Sequence, residues 1–164
     1  MGLKEDVIRW LRDEDVDVEE VPVPQGVPVD WALNATVKAP LRVMIGVQKP
    51  RAKGDRLVLS MIVKVADQHR AFLMAMQDRE RARAMSDLLQ RLVYVCPHCI
   101  VVFQPTVEAP DTIVVTRVLY DDEIGPSGIG NSLRVLVNEY AVIVSFFNSQ
   151  VGAPAGQSST MVHM

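Results

Sequence analysis

An α+β fold, an antiparallel five-stranded sheet with helices packed on it, is predicted by three observations. Apolar residues recur at helical spacing near the start of the chain and again over residues 68–94. Short Val- and Leu-rich runs alternate apolar with polar residues, the period of strands. These runs come in blocks, three and then two, separated by single helices, which favours antiparallel pairing over parallel βαβ units. The chain of 164 residues is 49% hydrophobic, enough for one domain with a core that needs no disulfide staples.

Leu3, Val7, Trp10 and Leu11, with Lys4, Glu5, Arg9 and Arg12 between them, predict an amphipathic helix over 3–13. Asp13-Glu14-Asp15 breaks it, and Val21-Pro22-Val23-Pro24-Gln25-Gly26-Val27-Pro28 cannot be regular helix. Trp31 to Lys38 reads as a strand with a turn at Ala39-Pro40. Leu41, Val43, Ile45 and Val47 alternate with Arg42, Met44, Gly46 and Gln48 in a second strand. Leu57, Leu59, Met61, Val63 and Val65 alternate with Val58, Ser60, Ile62 and Lys64 in a third.

Asp67 is placed as an N-cap for helix over 68–94, with a break near Gln77-Asp78. Ile100-Val101-Val102-Phe103 is a short strand stopped by Pro105, and Thr112 to Tyr120 is another. The last element fits two readings. Leu133, Leu136, Val137, Tyr140, Val144 and Phe147 suit a helix capped by Ser127 or Asn131. The Val/Ile content, with Asn138-Glu139 as a turn, also suits a hairpin. The expected order is thus α-β-β-β-α-β-β-α over a single domain, 1–151, with 152–164 a flexible tail by composition.

This order resembles a family of uncharacterised archaeal proteins. The resemblance is carried by Ile8-Arg9-Trp10-Leu11, by Val47-Gln48-Lys49-Pro50 before a polar loop, and by Ala109-Pro110-Asp111-Thr112-Ile113-Val114-Val115-Thr116-Arg117 leading to Leu119-Tyr120. It covers residues 3–150 and implies the fold of the type III secretion chaperones, shared with YbjN-like proteins. It favours helix for the last element, and it implies homodimerisation and binding of protein segments. It brings no catalytic residues and no cofactor. The Pro-rich segment, Cys96-Pro97-His98-Cys99 and the Gly-rich turn before the last helix depart from the family's pattern.

Cys96-Pro97-His98-Cys99 is the stretch that most resembles chemistry, since the same dipeptide separates the thiols of DsbA-like oxidases. A reactive pair wants its first cysteine at a helix N-terminus, where the dipole stabilises the thiolate. Here helix precedes the pair and strand follows, so Cys96 meets the negative end of a helix. As a metal site, Cys96 and Cys99 supply two ligands where zinc takes four. His98 lies between them, and His69 and His163 are distant in sequence. A turn, with or without a local disulfide, is the remaining reading.

Other motifs are weaker. Gly125 to Asn131 lacks the Lys-Ser/Thr of a phosphate loop, and Asp121-Asp122-Glu123 reads as a solvated turn rather than a cation site. Lys49, Arg51, Lys53 and Arg56 cluster on one loop without aromatics, and the net charge of −3 offers no general attraction for nucleic acid. Nothing assembles a Ser/His/Asp or paired-carboxylate arrangement. The acidic start is unlike a secretory leader, and the run Tyr140 to Phe147 is too short to span a bilayer, so a cytoplasmic protein with no membrane partner is expected. Arg in excess of Lys and only four Asn suggest a thermophile.

Both sheet faces carry apolar residues: Leu57, Leu59, Met61 and Val63 on one, Met44, Val58, Ile62, Val114 and Val118 on the other. The second set is the expected interface of a homodimer. The chain therefore reads as a non-catalytic, homodimeric binding protein with a protein or peptide partner. The rival reading is a thiol-disulfide or zinc role at Cys96 and Cys99.

Overall fold

The structure, a computed structural model, describes residues 2–151 and the backbone of residues 162–163. Among these residues lie four helices and a sheet of six strands in the order β1-β2-β3-β4-β6-β5, with a two-residue β7 paired to β4. The elements are α1 (Leu3–Asp13), β1 (Asp17–Val21), β2 (Val29–Val37), β3 (Val43–Pro50), β4 (Leu57–Val65), α2 (Asp67–Ala75), α3 (Asp78–Val95), β5 (Ile100–Gln104), β6 (Thr112–Leu119), α4 (Pro126–Val151) and β7 (Val162–His163). The tail expected over 152–164 lies outside the described residues, the backbone of β7 excepted. By contact the chain divides into two units, Met1–Met61 with Thr116–Val137 and Ile62–Val115 with Asn138–Met164.

In the first unit α1 buries Val7 and Leu11, the inward stripe of its heptad-like pattern. The chain then turns through Asp15 at φ 57, a left-handed conformation that Asp tolerates better than most residues. It enters β1, a strand that the expected five did not include. β1 pairs antiparallel with β2, Glu19 opposite Asn34 and Val21 opposite Ala32. Three of its five residues are acidic, so neither propensity nor alternation marks it as a strand. It exists because β2 offers a ladder and because cations meet its acids, Lys4 at 2.7 Å from Glu20 and Lys38 at 3.2 Å from Asp17. The Pro-rich passage is the turn between β1 and β2, closed by the Val27 N–H donating to the Pro24 carbonyl at 3.3 Å. β2, β3 and β4 form an antiparallel meander, with Leu33 opposite Val47 and Val47 opposite Leu59.

The sheet thus has six main strands rather than five, and the order becomes α-β-β-β-β-α-α-β-β-α. Helix 68–94 divides at the expected place, into α2 and α3. Met76 and Gln77 are both extended, at ψ 152 and 147. Arg81 holds the break: its Nη1 donates to the carbonyls of Leu73 and Met76 at 3.3 and 3.4 Å, and its Nη2 meets Asp78 at 2.6 Å. It satisfies carbonyls that the end of α2 leaves without helical partners. Asp67 is not the N-cap. Ala66 takes that position without a side-chain bond, and Asp67 opens the helix as a charge favourable to its dipole.

The last element is a helix of 26 residues. It begins earlier than Ser127 or Asn131 would place it, because Pro126 suits the first helical position and the Ile129 N–H donates to the Gly125 carbonyl at 3.0 Å. Within the first unit it approaches the turn after β6 so closely that a Cβ on Gly128 would collide with the Glu123 carbonyl oxygen. Its Val/Ile content reflects burial rather than strand. Ile129, Leu136, Ile143, Phe146 and Phe147 are all essentially inaccessible.

Candidate functional site

α3 carries Met85, Leu88 and Leu92 inward and ends at Cys96, which caps it with its N–H donating to the Leu92 carbonyl at 3.0 Å. Pro97 prevents a further turn of helix. The chain reverses, the Cys99 N–H donating to the Cys96 carbonyl at 3.1 Å, and β5 starts one residue later. This turn brings the two Cα atoms to 5.3 Å, and the sulfurs are joined as a disulfide. Cys96 is buried at 5% exposure, Cys99 is half-buried and His98 is exposed.

The third member of the site is Glu139, in the second unit's part of α4. Its side chain is wholly buried, and among the described residues neither carboxylate oxygen has a hydrogen-bond partner. One of those oxygens and the two sulfurs lie within 4.8 Å of one another. Burial alone pushes the carboxyl up, to about 8, so near neutrality it carries its proton. Asp87 and Arg91 of α3, which line a groove with Tyr94 and Val142, are paired with each other at 2.9 Å. Glu139 was not singled out from sequence, where it reads as one half of a turn in the hairpin alternative. The signal that marks it is a lone acid between Val137 and Tyr140 on the apolar stripe of a helix.

Among the described residues, His69 and His98 do not join the cysteines, and the side chain of His163 lies outside them. His69 is buried and stacks on Phe147, ring centroids 5.1 Å apart. With the sulfurs bonded to each other neither is a thiolate ligand, and among the described residues Cys96, Cys99 and Glu139 form the one group of three candidate donors.

The remaining candidates are spread over the first unit. In the 49–56 loop, Lys49 and Arg51 both meet Asp30, at 3.1 and 3.2 Å, and Arg56 lies 5.4 Å above the Tyr120 ring. In the acidic triplet, Glu123 pairs with Arg117 at 2.8 Å and accepts the Tyr120 N–H.

The first set of sheet residues, Leu57, Leu59, Met61 and Val63, is buried, and the second, Met44, Val58, Ile62, Val114 and Val118, is half-buried or exposed. Along β4 the odd positions, Leu57 to Val65, are buried, and Val58, Ser60, Ile62 and Lys64 are half-buried or exposed. In the second unit the outward positions hold Ile62 at 53% exposure and half-buried Val114, and on β5 Ile100 and Val102 at 57% and 41%. In the first unit they hold Met44 at 45%, with Val58 and Val118 half-buried. Among the described residues no helix is long and apolar enough to cross a membrane.

The same arrangement of elements occurs in a solved structure, that of an uncharacterised protein from Methanothermobacter thermautotrophicus. Its TM-score is 0.80 over 92% of this chain and 100% of that one, at 15% sequence identity, so the likeness is one of fold. No curated protein matches the chain. The model of a family described as an uncharacterised conserved protein, DUF2299, matches residues 3–147, from the first turn of α1 to the buried Phe147 of α4, and the chain belongs to that family.

Proposed function

We propose that the chain is a non-catalytic binding protein that acts as a homodimer, a second copy covering the outward face of the sheet. The observation that carries this reading is the exposure of Ile62 and Ile100, 53% and 57%, on outward positions of β4 and β5. An antiparallel sheet that ends in water places polar residues there, and a cluster of aliphatic side chains marks a contact surface. A two-fold axis through such a face sets each patch against its own copy, so apolar patches match without any charge pattern. The resemblance to type III secretion chaperones supports the same reading, since proteins of that fold pair and hold segments of other proteins. On this reading the bound segment, not a small molecule, is the ligand.

Ile62→Glu tests it. Buried against its own copy, a carboxylate faces a second carboxylate across the axis, and the dimer dissociation constant should rise by about 100-fold or more. Analytical ultracentrifugation of wild type at tens of micromolar should give a dimer and the variant a monomer with unchanged circular dichroism. A monomeric wild type overturns the proposal.

A further inference from the structure

We propose that Cys96–Cys99 is a reversible disulfide, reduced by a dithiol that attacks Cys99, with Glu139 as the acid that protonates the departing Cys96 sulfur. The geometry assigns the two sulfurs different parts. Cys99 is half-buried and Cys96 is 5% exposed, so an incoming thiolate reaches Cys99. The displaced sulfur is then the one at the end of α3, where the carbonyl end of the helix disfavours negative charge. Thiol-disulfide exchange is slow when the leaving thiol has a high pKa. A proton delivered as the bond breaks removes that penalty, and the acid within 4.8 Å, buried and without another hydrogen-bond partner among the described residues, is Glu139.

In the first step the reductant's thiolate forms a bond to Cys99 Sγ and the Cys96–Cys99 bond breaks. The electron pair leaves on Cys96 Sγ, which takes the proton of the Glu139 carboxyl. In the second step the reductant's other thiol releases its proton to water and attacks its own sulfur in the mixed disulfide, and the Glu139 carboxylate regains a proton from water. The bond to Cys99 breaks, and Cys99 Sγ takes a proton from water, replacing the one the first thiolate released. The reductant ends as a disulfide and the protein as a dithiol, with two electrons and two protons transferred and Glu139 as it began.

Of the charged residues of α3, Asp87 and Arg91 lie in the half nearest Cys96 in sequence and are paired with each other, and His98 on the loop is exposed. Burial is the one cause of the raised Glu139 carboxyl, which therefore serves as an acid up to about pH 8.

The test is the rate of reduction by dithiothreitol, expressed per dithiothreitol thiolate, from pH 6 to 10, for wild type and Glu139→Gln. Wild type should hold a constant rate and then fall above about pH 8. The variant should be about 100-fold slower at pH 7, the size of a general-acid effect, and show no such fall. Equal rates and equal profiles overturn the role of Glu139. Independently of whether the variant folds, brief iodoacetamide treatment of reduced wild type, read by peptide mass, should label Cys99 before Cys96. The reverse order overturns the assignment of the attacked sulfur, and a disulfide that millimolar dithiothreitol leaves intact in the folded protein overturns reversibility.

Discussion

Asp30 and Glu139 are carboxylates in two regions that treat the same group in opposite ways. Asp30 stands at the start of β2, where hydrogen bonds from Lys49, and then from Arg51, hold its carboxyl below the usual range. Glu139 stands in α4 with no cation among the described residues acting on it, and burial raises it to about 8. Cations in reach make a surface acid more acidic, whereas desolvation without a partner keeps the proton on. The first arrangement is ordinary ionic trimming of a hairpin. The second is costly to fold, since a neutral acid with unpartnered oxygens replaces what an apolar residue would do better. Sites that spend stability in this way are where chemistry concentrates.

The largest expected effect comes from breaking the contrast at Glu139. The unfolded chain ionises this carboxyl near 4.5 and the folded chain near 8, so stabilisation is complete below 4.5 and lost as pH rises to 8. The loss should be on the order of a few kcal/mol. Urea midpoints from pH 4 to 9 should show this decline in wild type and a shallower one in Glu139→Gln. A parallel decline in both proteins means that Glu139 is not the group responsible.

A smaller effect is expected from reducing the disulfide, which alters the surroundings of Glu139 while leaving its own side chain in place. The loop closed between Cys96 and Cys99 is very short, so its loss should cost about 2 kcal/mol. Thermal melts with and without reductant measure this, and a much larger loss would show that the bridge holds more than its own turn together.

The smallest effect is expected at Asp30. Its stabilisation is present above 3.8, the ordinary value, and is lost as pH falls through the lower folded one. Asp30→Asn should lower the melting temperature slightly at neutral pH, and 1 M salt should erase the difference from wild type. An undiminished difference in salt would place Asp30 in a structural role beyond its charge.

Sequence alone shows most of the scaffold and little of the site. β4 and α1 are legible because each carries an unbroken apolar period, Leu57 to Val65 by twos and Leu3, Val7, Leu11 by helical turns. β1 is not, because its strand state is imposed by a neighbour on residues that favour water. The split between α2 and α3 shows only as a weak break, since the residue that fixes it, Arg81, acts back across the gap. At the site, the turn at Cys96 and the polarity of the preceding helix follow from local order. Glu139 does not, because its nearness to the sulfurs depends on how α4 packs in the second unit, a contact that no periodicity encodes.

The two outermost strands of the sheet differ in the side chains they carry. β1 presents Asp17, Glu19 and Glu20, while β5 presents Ile100 and Val102. Exposed margins of sheets are templates for runaway growth, and acidic side chains are one means of blunting them. The acids that deny β1 any strand propensity of its own thus serve it once it is formed, since they disfavour the addition of a further strand along that edge.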